Sequence, residues 1–272
     1  MPEVLPPMVR EAIERVPGEV SLLARDLDRD WELSHRAEVP VTAASVIKLL
    51  ILAELFRQFA TGETHPDEPV RVEPESWVGG SGVLRWLRPG LPLTLRDLAV
   101  LMVIVSDNTA SNLLIDRLGF ECINDLARRL GLGQTVLARK FLGRAAQGNE
   151  PENVISARDM AELLTALELG RIVPEGPLLQ DLRLILKAQQ FRDLIPGRLP
   201  EEAVIGNKTG SLPGCAHDAA IIWRPAGRLV MVLLSSGLVD QELGRRALCD
   251  LALACYRAWV RWAGSAKREG ES

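Results

Sequence analysis

Apolar and polar positions alternate or cluster in short runs near both ends of the chain, and recur at helical spacing between them. After a short helix-like start, Glu19 to Leu27 reads as a strand, Asp28-Arg29-Asp30 as a turn and Trp31 to His35 as a returning strand, which predicts a hairpin. From Thr42 to about Arg192 the pattern becomes that of helices separated by Gly- and Pro-containing loops, with no strand pair expected. Beyond Pro196-Gly197 strands return, at Ala203 to Ser211, Ala219 to Trp223 and Arg228 to Ser235, the last two joined by Arg224-Pro225-Ala226-Gly227. A long helix is predicted from about Asp240 to Trp262.

Strands at both ends around a helical middle predict an α+β protein: one antiparallel sheet made by the two chain ends, flanked by the N- and C-terminal helices, with an all-helical lobe inserted. On this reading residues 1–272 form one domain. Residues 1–40 and 195–265 make the sheet lobe, 41–194 the helical lobe and 266–272 a disordered polar tail. A functional site belongs in the cleft between the lobes.

Composition narrows the function classes. With 47% hydrophobic and 25% charged residues, 272 residues bury a large core. The longest wholly apolar run, Leu98 to Val105, is far shorter than the ~20 residues of a membrane-spanning helix, so no membrane partner is expected. The start, Met1-Pro2-Glu3-Val4-Leu5-Pro6-Pro7, is acidic and proline-broken, unlike a secretory leader. As written, the chain is expected in the cytoplasm; a precursor carrying a leader ahead of it would place it in the periplasm or outside the cell. A net charge of −4 without a basic block argues against nucleic acid. Cys122, Cys215, Cys249 and Cys255 lack metal-type spacing and read as small buried side chains, consistent with a reducing compartment. His35, His65 and His217 are isolated, so neither a zinc cluster nor a Ser-His-Asp order emerges, and no metal or organic cofactor is expected.

Three short segments carry chemistry. Thr42 to Ala53 is apolar nearly all round, as in a buried helix, and is interrupted by Ser45 and Lys48 three residues apart on one face. A buried ammonium loses its proton more readily, so a neutral Lys48 can accept the Ser45 proton. Alone, Ser-x-x-Lys arises about once by chance in a chain this long. A second apolar helix, Leu95 to Val105, opens on the capping pair Thr94 and Asp97 and ends at Ser106-Asp107-Asn108. Those three residues either cap the neighbouring helices or, through Ser106 and Asn108, reach the cleft to relay protons and hold an amide. Lys208-Thr209-Gly210 closes the strand from Ala203. It is either a solvated edge or a cation and hydroxyl for a carboxylate beside a glycine that lets a substrate lie close.

In this order the three segments resemble the Ser-x-x-Lys, Ser-Asp-Asn and Lys-Thr-Gly set of class A β-lactamases and penicillin-binding proteins. Gly80-Ser81-Gly82-Val83-Leu84 and Leu93-Thr94-Leu95-Arg96-Asp97-Leu98 extend the resemblance, which covers nearly the whole chain. It implies a β-lactamase/transpeptidase-like fold and a monomeric serine hydrolase that opens a β-lactam ring. Ser45 would be the nucleophile, Lys48 the proton acceptor and Ser106 the relay. Asn108, Lys208, Thr209, Gly210 and Ser211 would bind substrate, with the Ser45 and Ser211 amides as oxyanion hole. The open alternatives are a peptidase, amidase or esterase acting on a peptide-like or other acyl substrate, and a penicillin-binding acyl trap.

Two features depart from the family pattern. Its Glu-x-x-x-Asn loop has no clean counterpart: Glu150-Pro151-Glu152-Asn153 is one residue short, leaving Glu150 and Glu152 as candidate deacylation bases and predicting slow deacylation. Just after Lys-Thr-Gly, Ser211 to Asp218 holds no arginine where many class A enzymes carry one on the adjoining strand. His217 either substitutes for it at acidic pH or caps the loop there.

Overall fold

The computed structural model describes residues 5–225 and 227–269. The chain forms α1 (Pro7–Glu14), β1 (Glu19–Asp26), β2 (Glu32–His35), β3 (Val41–Thr42) and α2 (Lys48–Thr61). Next come β4 (Pro69–Val72), β5 (Leu91–Thr94), α3 (Leu95–Ile104), α4 (Asn108–Leu118), α5 (Phe120–Arg129) and β6 (Val154–Ile155). The order ends with α6 (Ala157–Glu168), α7 (Pro177–Lys187), β7 (Val204–Leu212), β8 (Cys215–Arg224), β9 (Gly227–Ser236) and α8 (Gln241–Glu269). Residues 1–4, part of the acidic, proline-broken start, lie outside the described residues, as do Ala226 and residues 270–272; the expected tail from 266 begins within α8.

The two chain ends build one five-stranded antiparallel sheet in the order β2-β1-β9-β8-β7. Both faces are covered, which is why its inner strands are almost continuously apolar. On β9, Val230, Val232 and Leu234 join the core of the helical lobe, whereas Leu229, Met231 and Leu233 pack with Val9 of α1 and Leu248, Leu251 and Trp259 of α8. The period-two alternation of a strand thus feeds two separate cores.

Within the middle segment, two short strand pairs join the helices, where none was expected. β3 pairs with β6 and β4 with β5. The region after Lys-Thr-Gly is not a loop either: β8 begins at Cys215, paired with Leu212 across a two-residue turn, so His217 sits inside a strand. The capping pair forms as predicted, Thr94 Oγ1 accepting from Asp97 N at 3.1 Å and Asp97 Oδ2 accepting from Thr94 N at 2.9 Å.

Candidate active site

The turn that carries Ser45 is held from both lobes. Helix α2 starts at Lys48, later than the apolar pattern suggests, and residues 44–47 make tighter turns, with Lys48 N donating to Ser45 O at 3.3 Å. Ala43 N donates to Asn153 O at 2.8 Å, and buried His217 donates through Nε2 to Thr42 O at 2.9 Å. The other ring nitrogen of His217 accepts from Ser235 N at 3.1 Å, so both nitrogens are used by a neutral ring. Burial also pushes its pKa down. His217 therefore ties the sheet to β3 and does not serve the cleft at acidic pH.

Lys-Thr-Gly lies against the same turn. A Cβ at Gly210 would stand 2.9 Å from Ser45 N and 3.0 Å from Val46 N. The glycine is needed because the strand, rather than a substrate, approaches the Ser45 turn.

Two lysines, both without solvent exposure, meet at one hydroxyl. Lys48 Nζ donates to Ser106 O and Asn108 Oδ1, each at 2.8 Å, and lies 3.2 Å from Ser106 Oγ. Lys208 Nζ donates to Ser106 Oγ at 3.0 Å and Thr209 O at 2.7 Å. Burial lowers the pKa of Lys48 well below the ordinary lysine range, and the neighbouring Lys208 charge lowers it further. Burial brings Lys208 down to about 7. A neutral Lys48 keeps two N–H bonds for its two obligatory acceptors, Ser106 O and Asn108 Oδ1, and has its lone pair free to take a hydroxyl proton. Ser106, at φ 56°, and Ala44, at φ 44°, hold left-handed backbone beside these groups, an uncommon placement for residues with a side chain.

Asp107 does more than cap α4. Its Oδ1 accepts from Ala110 N at 2.9 Å, while Oδ2 accepts from Val83 N at 2.6 Å and Leu84 N at 2.9 Å. A Cβ at Gly82, where φ is 119°, would come within 2.3 Å of that carboxylate. Asn108 donates through Nδ2 to Gly79 O at 2.9 Å, so the glycine-containing loop is fastened to Ser-Asp-Asn.

Two cavities open on either side of Ser45 and share Ser45, Ser81 and Ser211. One also has Ser106, Phe191, Thr209, Gly210 and Arg245 in its walls. The other lies between Ser45, Asn108, Leu212 and the 139–153 segment. Among the described residues no cluster of His, Cys, Asp or Glu is placed to hold a metal ion, and no helix is long and apolar enough to cross a membrane.

A family model described as the β-lactamase enzyme family matches residues 7–259. The chain belongs to this family. A crystal structure of a β-lactamase from Sphaerobacter thermophilus is 33% identical, with a TM-score of 0.86 over 92% of this chain and 95% of that one. PBP-A is 25% identical, with a TM-score of 0.85 over 94% of this chain and 97% of its own. The curated relative β-lactamase CTX-M-8 of Citrobacter amalonaticus is 27% identical over 222 residues, 80% of this chain and 75% of the relative. The fold is that of class A β-lactamases, and the chain is a β-lactamase-like serine hydrolase.

Within this β-lactamase-family site, the two candidate bases are placed differently. Glu150 is absent from the lining of both cavities; it accepts from Arg144 at 2.6 and 2.8 Å, and this pairing holds its carboxyl at about 2. Glu152 does line the cavity beside Ser45, but its oxygens are occupied. Oε1 accepts from Asn153 N at 2.8 Å and Arg139 Nε at 3.2 Å, and Oε2 from Ala146 N at 3.0 Å and Arg139 Nη2 at 3.1 Å. Burial raises its pKa, but the donors outweigh burial and hold it below the usual carboxylate range.

The cavity walls also contain groups that the motifs do not mark. The cleft arginine comes from α8, not from the strand after Lys-Thr-Gly. Arg245 reaches the Thr209 side while its Nε donates to Asp193 Oδ2 at 2.8 Å. Phe141 places its ring 4.4 Å from Lys48 Nζ. Only a basic residue at helical spacing near the start of α8 marks Arg245 in sequence, and many exposed arginines share that feature. Cys122 is exposed, contrary to the expectation for all four cysteines, whereas Cys215, Cys249 and Cys255 are buried.

Proposed function

We propose that this chain opens β-lactam rings by acylation of Ser45 and releases the product slowly. The observation that carries this reading is the Ser106 hydroxyl held between two buried lysines at the floor of the cleft that contains Ser45. Lys48, with its proton affinity lowered, accepts the Ser45 proton. Ser106 passes a proton from the lysine pair to the leaving nitrogen. The backbone N–H groups of Ser45 and Ser211 hold the developing oxyanion. Lys208, Thr209 and Arg245 bind the carboxylate of the substrate, and Asn108 its amide. All of these groups come from one chain, so the reaction needs no second subunit.

Slow release follows from the acceptor count on Glu152. An ionised carboxylate offers about four lone-pair sites, and four donors take them, which leaves none for the proton of an attacking water. The same count favours, as the second reading, an enzyme that retains the adduct as an acyl trap.

The test is incubation with a chromogenic penicillin, following colour and intact mass together, with Ser45→Ala as control. Adduct formation that is lost in Ser45→Ala, with slow turnover, is the expected result. An adduct that never turns over selects the trap, and the absence of any adduct overturns β-lactam acylation.

A further inference from the structure

The side of the cleft away from Lys208 has a wall that the reaction itself does not require. Around Leu142, Gly143 and Leu212 it presents Arg139 with its partner Glu152, and Arg144, whose partner Glu150 stands outside the lining. Arg139 and Glu152 both line the cavity and cancel. Arg144 lines it while its partner Glu150, paired with the guanidinium at 2.6 and 2.8 Å, does not, so the arginine and not its counter-charge borders the cleft.

The hydrogen bonds of Arg144 leave it able to take a second anion. A guanidinium has five N–H donors in a planar fork. Nη1 gives one to Ala145 O at 2.9 Å and one to Glu150 Oε2 at 2.6 Å, and Nη2 gives one to Glu150 Oε1 at 2.8 Å. Two donors, Nε–H and the outer Nη2–H, have no partner among the described residues. Adjacent and coplanar, they make the side-on fork that a second carboxylate fits without displacing Glu150. Arg144 is 39% exposed at its side chain, so an incoming anion meets it without a buried desolvation cost. Beside it, Leu142 at 44% exposure offers apolar surface to the rest of the substituent.

We propose that Arg144 is a specificity-determining residue that selects β-lactams whose acyl side chain carries a carboxylate next to an apolar group. This rests on the acylation of Ser45 argued above. With the ring carboxylate at Lys208, Thr209 and Arg245, the acyl substituent extends toward Leu142 and Arg144.

Carbenicillin and benzylpenicillin differ only by a carboxylate on the acyl side chain, so the ratio of their second-order acylation rates, read by intact mass, isolates this contact. An exposed, bidentate charge pair is expected to favour carbenicillin by about two- to fivefold. The ratio should fall to one or below in Arg144→Gln, keep part of its value in Arg144→Lys, and shrink as sodium chloride is added. A wild-type ratio of one or less, or a ratio unchanged in Arg144→Gln, overturns the proposal. Should Arg144→Gln not fold, Arg144→Lys and the salt series decide it, an absent salt effect counting against. Labelling by benzylpenicillin with no carbenicillin preference removes this inference alone. No labelling by either compound removes it together with the β-lactam reading.

Discussion

Lys208 Nζ donates to Ser106 Oγ at 3.0 Å, and the same hydroxyl lies 3.2 Å from Lys48 Nζ. The hydroxyl that links the two amines comes from a residue at φ 56°, on the connection between two buried helices. Two ammonium groups cannot both keep full charge so close together in a dry site, so the arrangement favours one neutral and one charged amine. That division suits the reaction: Lys48 takes a proton and Lys208 attracts an anion.

The acylation rate constant should therefore follow a bell-shaped pH profile. Its acid limb reports Lys48 losing its proton, because only the neutral amine is a base. Its alkaline limb should fall near pH 7, where Lys208, held at about 7 by burial, loses the charge that attracts the substrate carboxylate. In Lys208→Arg the guanidinium keeps its charge, so the alkaline limb should move to higher pH. A limb that stays in place assigns it to another group.

Removal of Glu152 should change deacylation little. Loss of a working general base costs about 10²- to 10⁴-fold, whereas Glu152→Gln should leave the lifetime of the acyl-enzyme, followed by mass, within about threefold of wild type, because its four acceptor positions are already filled. The same substitution should loosen the segment around Ala146, which is visible as faster proteolysis. A drop in turnover of two orders of magnitude would make Glu152 the water activator after all.

Gly210→Ala tests the contact between the sheet and the nucleophile turn. Its new Cβ would sit 2.9 Å from Ser45 N, 3.0 Å from Val46 N and 3.1 Å from Ala44 Cβ, and backbone must move to admit it. Overpacking of this kind costs about 1–3 kcal/mol of stability. A displaced nucleophile should lower acylation by about 10²-fold. Thermal unfolding and acylation kinetics on one preparation check both. Unchanged acylation would mean that the turn tolerates the shift.

The terminal sheet and the long C-terminal helix are legible in the sequence because their apolar runs are long and bounded by turn residues. The pairs β3–β6 and β4–β5 are not, since strands of two or four residues carry no readable period. Cys215 to Asp218 escapes as strand because Cys-Ala-His-Asp follows Pro-Gly and contains polar residues; burial on both faces and bonds from His217 and Asp218 are what make those side chains acceptable there. In the site, Ser45, Lys48, Ser106, Asn108, Lys208 and Thr209 come together as their motifs suggest. Arg245 does not announce itself, because its role depends on where α8 crosses the end of the sheet. Glu152 has the right chemistry in sequence, and only the positions of Arg139 and two amides show that it is occupied.

Asp218 supplies a separate prediction about stability. It is fully buried opposite Thr209 on β8 and accepts from Asn207 Nδ2 at 2.9 Å and Ile195 N at 3.0 Å, yet burial raises its pKa to about 6 against these donors. A carboxyl whose folded pKa is raised adds stability that is fully present below its unfolded pKa near 4 and is lost as pH rises through about 6. Above that pH the wild-type protein carries a buried charge. Asn207 Oδ1 is buried with no partner among the described residues, so an asparagine at 218 can donate to it once the Asn207 amide flips and gives up its 3.4 Å bond to Phe191 O, while the new oxygen still accepts from Ile195 N. Asp218→Asn should therefore stabilise the protein at mildly alkaline pH, by on the order of 1–2 kcal/mol, and the gain should vanish below about pH 4. Denaturant unfolding of both proteins across that range measures the difference. A loss of stability in Asp218→Asn at alkaline pH would show that the two donors need the full charge of the carboxylate.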